Sequence, residues 1–412
     1  MSKVPAGRSN CRERVLVLAP TARAVSETFI RANLNGLSLD LTAYFGDDLP
    51  LHAPWRLAYG SAIFISKFFT RLNWLHLAGL PAACVAFALI RRHQPEVVMV
   101  EFGFEAVRVM EACAWSGVPL VVHFRGSDAS ARTRLGLLKN RYRRLLSMAS
   151  GVIVKSRPMA DTLLALGAPA DRLLISPSGA NASLFQGSSP AAAPPVLLAV
   201  GRFVPKKGPL ETLRAFGLLC RDPVLSASKP QLWMVGDGPL LASARSLVIE
   251  LGLQERVRFL GVCSQVRVAE LMRQVRGFVQ HSKVAPDGDS EGSPVAVMEA
   301  QLSGLPVVAT RHAGIPEVVL ENQTGLLVDE GDECAMAHAM SLLLLDPALA
   351  AELGACGRRR IQEQFTVEVV AGHEQMKQGE SEHDRSRPKG MLPFHGQHTT
   401  PPSQLVGEDL YF

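Results

Sequence analysis

Two carboxylates, Glu291 and Glu299, stand eight positions apart with Gly292, Ser293 and Pro294 between them, inside the run Asp287 to Thr310. Proline suits the first position of a helix and serine the capping position before it. The pattern therefore predicts Glu291 in a loop at a helix mouth and Glu299 on the second helical turn. Both side chains can then face one ligand lying across the helix N-terminus, whose free amides favour a phosphate. Carboxylates that accept hydrogen bonds from sugar hydroxyls beside a phosphate seat are what a nucleotide-sugar requires. Taken alone, the pair reads more simply as a loop charge and a solvated helix residue. The neighbouring segments argue otherwise.

Upstream, Val200-Gly201-Arg202-Phe203-Val204-Pro205-Lys206-Lys207-Gly208 follows the apolar run PPVLLAV and precedes the helical pattern PLETLRAFGLL. Arg202 and Lys207 bracket a tight turn, so two cations can converge on a diphosphate, arginine as a two-pronged donor and lysine as a point charge. Next comes the strand-and-turn LWMVGDGP, which contains Gly236, and then the strands VRFLG and GFVQ. After the glutamate pair come the turn His312 to Glu317 and the strand Gly325 to Val328.

This order resembles glycosyltransferase family 4, a group of retaining enzymes with the GT-B architecture, and within it the branch that builds exopolysaccharide and colanic-acid-type polymers. The resemblance covers roughly residues 14 to 370 and rests on GRFVPKKG, VGDGP, EGSPVAVMEA, SGLPVV and GIPEV as a set. Ser26 and Glu27, in SETFI, match the same branch on the acceptor side. The resemblance implies that Arg202 and Lys207 hold the donor diphosphate, Glu291 the transferred sugar and Glu299 the ribose. It also implies that backbone amides from Ser293 through Pro294 to Val295 help to cradle the sugar and the distal phosphate, with Gly236 in the donor site. On the opposite domain Gly126 and Asp128 match the family's glycine and aspartate.

One position departs from the family pattern. The family reads Phe-His-Gly-x-Asp where this chain has Phe124-Arg125-Gly126-Ser127-Asp128, with His123 two places before Arg125. Residues two apart on a strand share a face, so His123 is either a core histidine or a second group pointing to the cleft. Arg125 could contact a phosphate, an acidic sugar or an acceptor. Asp287-Gly288-Asp289 imitates the Asp-x-Asp metal grip of the other glycosyltransferase fold. Its Gly/Ser/Pro-rich surroundings predict a solvated loop, and Arg202 and Lys207 already supply positive charge, so no metal or other cofactor is expected.

The elements that must position these groups alternate between strand and helix throughout the 412 residues, the signature of parallel sheets flanked by helices. RVLVLAP, EVVMVE, PLVVHF, GVIVKS and RLLISP form one set; VLLAVG, QLWMVG, VRFLG, GFVQ, PVVAT and GLLV form another. QGSSPAAAPP between them has linker composition. The expected fold class is α/β: two Rossmann-like, doubly wound lobes across a cleft. Residues 1–186 form the acceptor lobe, 187–370 the donor lobe and 371–412 a disordered or partly helical tail. In such sheets ligands bind beyond the carboxyl ends of the strands, where the glycine turns fall.

Seven scattered cysteines, never in CxxC spacing, point to reduced thiols in a cytoplasmic protein. LNWLHLAGLPAACVAFALI is long enough to span a bilayer, but Asn73, His76 and Pro81 interrupt it, so it reads as two buried helices. The apolar SAIFISKFFTRL before it, with its cationic punctuation, suits a membrane surface instead. Residues 1–190 hold 22 Lys/Arg against 12 Asp/Glu, and the remainder 21 against 26. Arg132, Arg134, Lys139, Arg141, Arg143 and Arg144 crowd one stretch, which suits peripheral contact with an anionic inner leaflet. No nucleic-acid motif accompanies the charge.

The expected activity is transfer of a hexose, with retention, from a UDP-sugar or other nucleotide-sugar donor to a saccharide or polyprenol-linked acceptor. The alternatives are a nucleotide-sugar epimerase or hydrolase of the same fold, or a non-catalytic scaffold of that shape. A dehydrogenase is disfavoured because VLVLAPTARAVS lacks the glycine turn.

Overall fold

Runs such as Val15-Leu16-Val17-Leu18 and Val307-Val308-Ala309 are apolar at consecutive positions, the composition of strands covered on both faces. In the computed structural model they are the inner strands of two parallel sheets. The structure describes residues 14–21, 40–47, 54–72, 74–367 and 369–370. Ser26 and Glu27 and the expected tail from 371 onward lie outside the described residues.

The first sheet holds β1 (Arg14–Ala19), β2 (Asp40–Phe45), β3 (Val97–Glu101), β4 (Leu120–His123), β5 (Gly151–Val154) and β6 (Leu173–Ile175), in the order β2-β1-β3-β4-β5-β6. The second holds β7 (Val196–Val200), β8 (Gln231–Val235), β9 (Val257–Gly261), β10 (Gly277–Gln280), β11 (Val307–Thr310) and β12 (Gly325–Val328), in the order β12-β11-β10-β7-β8-β9. The two-lobed α/β architecture expected from the sequence is thus present, as are all eleven strands read there. The addition is β2, whose sequence DLTAYF buries only Tyr44 and so carries little apolar signal.

Strand order reverses direction at one place in each sheet, between β1 and β3 and between β7 and β10. A crevice for ligands opens beyond the strands at such switch points.

Among the helices, α1 (Pro54–Arg71), α2 (Leu80–His93), α3 (Gly103–Ser116) and α4 (Arg132–Met148) belong to the first lobe. α5 (Pro209–Leu219), α6 (Val295–Ser303), α7 (Glu333–Leu345) and α8 (Pro347–Gln364) belong to the second. One core joins Tyr59, Met110, Phe124, Tyr142 and Leu146 in the first lobe. Two clusters fill the opposite faces of the second sheet, one around Phe278 and Met298 and the other around Phe216 and Met340.

Of the two buried helices expected over residues 72–90, only α2 is one, with Ala82, Ala83, Ala86, Leu89 and Ile90 inside. The other is the single turn Leu75–Ala78, where Leu77 remains exposed. Among the described residues no single helix is long and apolar enough to cross a membrane. The bent pair α7–α8, which turns by 103°, would suffice by composition, yet it buries Met340, Leu343 and Leu353 in the second lobe.

The linker-like stretch 186–195 is fastened to the second lobe. Ser188 donates to the Met272 carbonyl at 2.9 Å and through its backbone N–H to the Ser303 carbonyl at 3.0 Å; Arg276 donates to the Ala193 carbonyl. After α8 the chain returns to the junction of the lobes, where the Ala180 N–H donates to the Phe365 carbonyl at 2.9 Å.

Candidate active site

The turn after β7 is built by close backbone approach. Gly236, at φ +133°, lies against Gly201 so tightly that a Cβ would run into the Gly201 carbonyl. Phe203 is buried beneath the turn among Leu213, Phe216 and Met234. This anchoring leaves Arg202 exposed and Lys207 half-buried on the rim of an open pocket of about 310 Å³, which Gly201, Thr212, Val235 and Gln280 also line. The pocket sits beyond β7 and β10, at the switch point of the second sheet.

Lys207 Nζ lies 2.7 Å from Glu291 Oε2. Glu291 is 7% exposed and Glu299 8%, so neither is the solvated charge that a bland reading would give. Burial pushes the Glu291 carboxyl up, but the charges of Lys207 and Lys206 outweigh it and hold the group below the usual carboxylate range. For Glu299 burial wins, with Lys207 opposing it, and the carboxyl is raised to about 8. Lys207 thus acts on both carboxylates, one ionised and one that holds its proton near neutrality. Gln265 Nε2 reaches Glu299 Oε1 at 3.5 Å.

In the sequence His312 is only part of a turn, yet in the fold it supports Glu291. The Glu291 N–H donates to His312 Nε2 at 3.0 Å, so Nε2 is the acceptor and the ring proton sits on Nδ1, 2.5 Å from Glu330 Oε1. A histidine just before GIPEV was the available signal. Its partner lies 21 positions away, beyond the reach of local pattern.

Three expectations at the mouth of α6 are corrected. Pro294 occupies the capping position itself, and no side chain caps the helix. Ser293 Oγ instead accepts the Ser178 N–H at 2.9 Å. Of the three residues expected to offer amides, Pro294 has none and the Val295 N–H donates to the Ser293 carbonyl, which leaves the Ser293 amide. Finally, Asp287-Gly288-Asp289 is a solvated loop only at Asp287, whose side chain is exposed. Asp289 pairs with Lys206 at 3.1 Å and accepts from Ser130 Oγ at 3.1 Å, while the Asp287 carbonyl accepts the Arg132 N–H. Among the described residues no group of three or more His, Cys, Asp or Glu could hold a metal ion.

On the first lobe, the turn Phe124–Asp128 meets the glutamate loop directly: a Cβ on Gly292 would come within 2.7 Å of the Arg125 carbonyl. The Arg125 side chain turns inward. Its Nε and Nη2 donate to Glu101 Oε2 and Oε1 at 2.6 and 2.8 Å, and the residue is buried. Burial would raise the Glu101 carboxyl, but the Arg125 charge keeps it well below its ordinary range. The contact of Arg125 with phosphate or acidic sugar, expected from its position, is therefore not presented; the guanidinium is committed to Glu101. His123 is also buried, 3.6 Å from Glu101, and burial with the Arg125 charge lowers it to about 3, in line with the core alternative. Asp128 organises the turn by accepting the N–H groups of Gly103, Arg125 and Gly126 at 2.8–3.0 Å. Gly126 is thus held in the turn, beside the site.

Known proteins resemble this chain in sequence and in fold. Residues 182–360 match the family model described as glycosyl transferases group 1, and residues 13–179 the glycosyl transferase 4-like domain. The amylovoran biosynthesis glycosyltransferase AmsK of Erwinia amylovora is 29% identical over 67% of this chain and 68% of its own length. The colanic acid biosynthesis glycosyltransferase WcaL of Escherichia coli is 29% identical over 60% of this chain; the match spans 61% of that relative, less than two thirds. In fold, the Anabaena HepE protein in complex with UDP superimposes with a TM-score of 0.69 at 20% identity, covering 89% of this chain and all of that one.

Proposed function

The chain belongs to the family 4 glycosyltransferases, and from that membership we propose that it moves a hexose from a UDP-sugar to a saccharide or lipid-linked saccharide acceptor in surface polysaccharide synthesis, with retention. The names of the relatives support the polysaccharide setting, and the UDP bound to a protein of the same fold supports the base. The observation that carries the reading is the Lys207–Glu291 pair, 2.7 Å apart, with Lys207 lining the pocket at the β7/β10 switch point.

In this reading residues 187–370 bind the donor and residues 1–186 the acceptor. Lys207 and the exposed Arg202 neutralise the charge that grows on the departing diphosphate, the kind of preorganised stabilisation that dominates many enzymes. Glu291 takes hydroxyls of the transferred sugar, Glu299 the ribose. The leaving diphosphate helps to deprotonate the acceptor hydroxyl, which attacks from the same face. Contact between the Arg125 turn and Gly292 would exclude water from the sugar and limit hydrolysis. Two cations already meet the diphosphate, so no metal is required, and a chelator leaves the rate unchanged. The reaction runs in the cytoplasm; the free cysteines 84, 113, 220, 263, 334 and 356 are compatible with a reducing compartment.

The test is thermal unfolding with UDP-, GDP- and ADP-sugars, since a ligand held only by the folded state raises its stability by mass action. A UDP-sugar should give the largest upward shift. No shift with any of the three at saturating concentration would overturn the donor assignment.

A further inference from the structure

The first sheet has its own switch point, and a second pocket opens there. It is open to solvent and lies between Pro20 and Thr21 after β1, Phe104 after β3, and the helices α1, α3 and α4. Lys67, Arg108, Arg134 and Arg141 line it, with no Asp or Glu among the described residues of its lining. Arg108 is held by Glu105 at 2.7 Å, and Arg141 donates to the Val107 carbonyl at 2.5 Å. Burial disfavours the charged form of Arg141, the Glu111 charge opposes that, and the charges of Arg144 and Arg108 add to it. Glu105 offsets Arg108 in part, and the positive charge that remains around the opening favours an anion.

Apart from Thr21 and Thr70, the rest of the lining is without polar side chains and includes Val107, Leu137 and Leu138. Beside it, α1 leaves one face uncovered: Leu57, Phe64, Phe68 and, just past its end, Leu72 follow the 7-4-4 spacing of a single helical stripe. Phe64 is 72% exposed and Phe68 54%. Trp74 and Leu77 continue the patch. Contiguous apolar surface of this kind marks an interaction site rather than ordinary exterior.

We propose that this pocket seats the phosphate of a lipid-borne acceptor among Lys67, Arg108, Arg134 and Arg141, with the hydrocarbon lying along the Phe64–Phe68 face of α1. The word acceptor rests on the transfer reading above; the anion seat itself does not. Arg134 links the seat to the site. It stacks over Phe104 at 4.7 Å and donates to Ser127 Oγ at 2.7 Å, within the turn that abuts Gly292. A phosphate bound there would set the depth at which the attached sugar enters the cleft.

The test measures binding of farnesyl phosphate, with farnesol and inorganic phosphate as separate arms, to the full chain. Farnesyl phosphate should bind roughly tenfold or more tightly than either, as expected for a charge-assisted contact added to apolar burial. The double variant Lys67→Glu/Arg134→Glu should lose that preference while keeping its thermal shift with UDP-sugar. Phe64→Ser/Phe68→Ser should bring farnesyl phosphate down towards inorganic phosphate. Should the double variant not fold, Lys67→Ala, at an exposed position, should still weaken farnesyl phosphate severalfold. Equal binding of farnesol and farnesyl phosphate, or unchanged binding in the charge variants, overturns the proposal. If the prenyl phosphate binds through these residues and no nucleotide-sugar shifts unfolding, the donor reading fails and the anion seat stands.

Discussion

At the carboxyl end of the second sheet, Lys207 lies half-buried against Glu291 and Arg202 faces solvent. At the matching end of the first sheet, Arg125 is buried and gripped by Glu101 through two hydrogen bonds. Both are cation–carboxylate pairs after a central strand, yet their surroundings separate them. The second-lobe pair borders an open pocket, so a ligand phosphate can compete for the lysine. The first-lobe pair is sealed, and no anion can reach it without breaking a bidentate bond in a low-dielectric interior. Motif position alone would have given both cations the same task.

Removing one side of each pair should break the resemblance in opposite ways. Arg125→Ala strands a buried carboxylate and should cost about 3–5 kcal/mol of stability, read as a lower denaturation midpoint; a variant as stable as the parent would mean that Arg125 is a ligand group after all. Lys207→Ala should act chiefly on rate, lowering kcat by about 10²–10³-fold, or about 2.7–4 kcal/mol. Steady-state kinetics at saturating donor would show it, and near-parental turnover would remove Lys207 from the mechanism.

Glu299 sharpens the contrast through pH. Its carboxyl is raised from 4.5 to about 8, so between those values the folded chain keeps a proton that the unfolded chain has lost. Stability therefore falls as pH rises through that window. Glu299→Gln should flatten the slope of unfolding temperature from pH 5 to 8, at the expense of nucleotide affinity; an unchanged slope would show that Glu299 is already ionised. The smallest effect expected is that of Ser293→Ala. It removes one bond between the lobes, about 0.5–1.5 kcal/mol, with a modest fall in unfolding temperature. A large loss of activity without that fall would restore Ser293 as a ligand group.

The strands were legible because parallel strands buried on both faces are written as unbroken apolar runs, as in VLLAV and PVVAT. DLTAYF, at the sheet edge, was not. Glu291, Glu299, Arg202 and Lys207 were legible because each sits at a fixed offset from a glycine or proline turn that ends a strand or begins a helix. The roles of His312, Lys206 and Asp289 were not, because their partners are brought near by packing and not by chain spacing.

The sequence by itself determined two parallel α/β layers, the order of their elements and which residues end the central strands, since these follow from local periodicity and turn chemistry. Only the tertiary structure decided that Arg125 turns inward to Glu101, that Ser293 bonds across to Ser178, and that four cations surround a second pocket. Those outcomes depend on which side chains of distant segments compete for the same buried partner, and that competition is settled by burial and geometry in three dimensions.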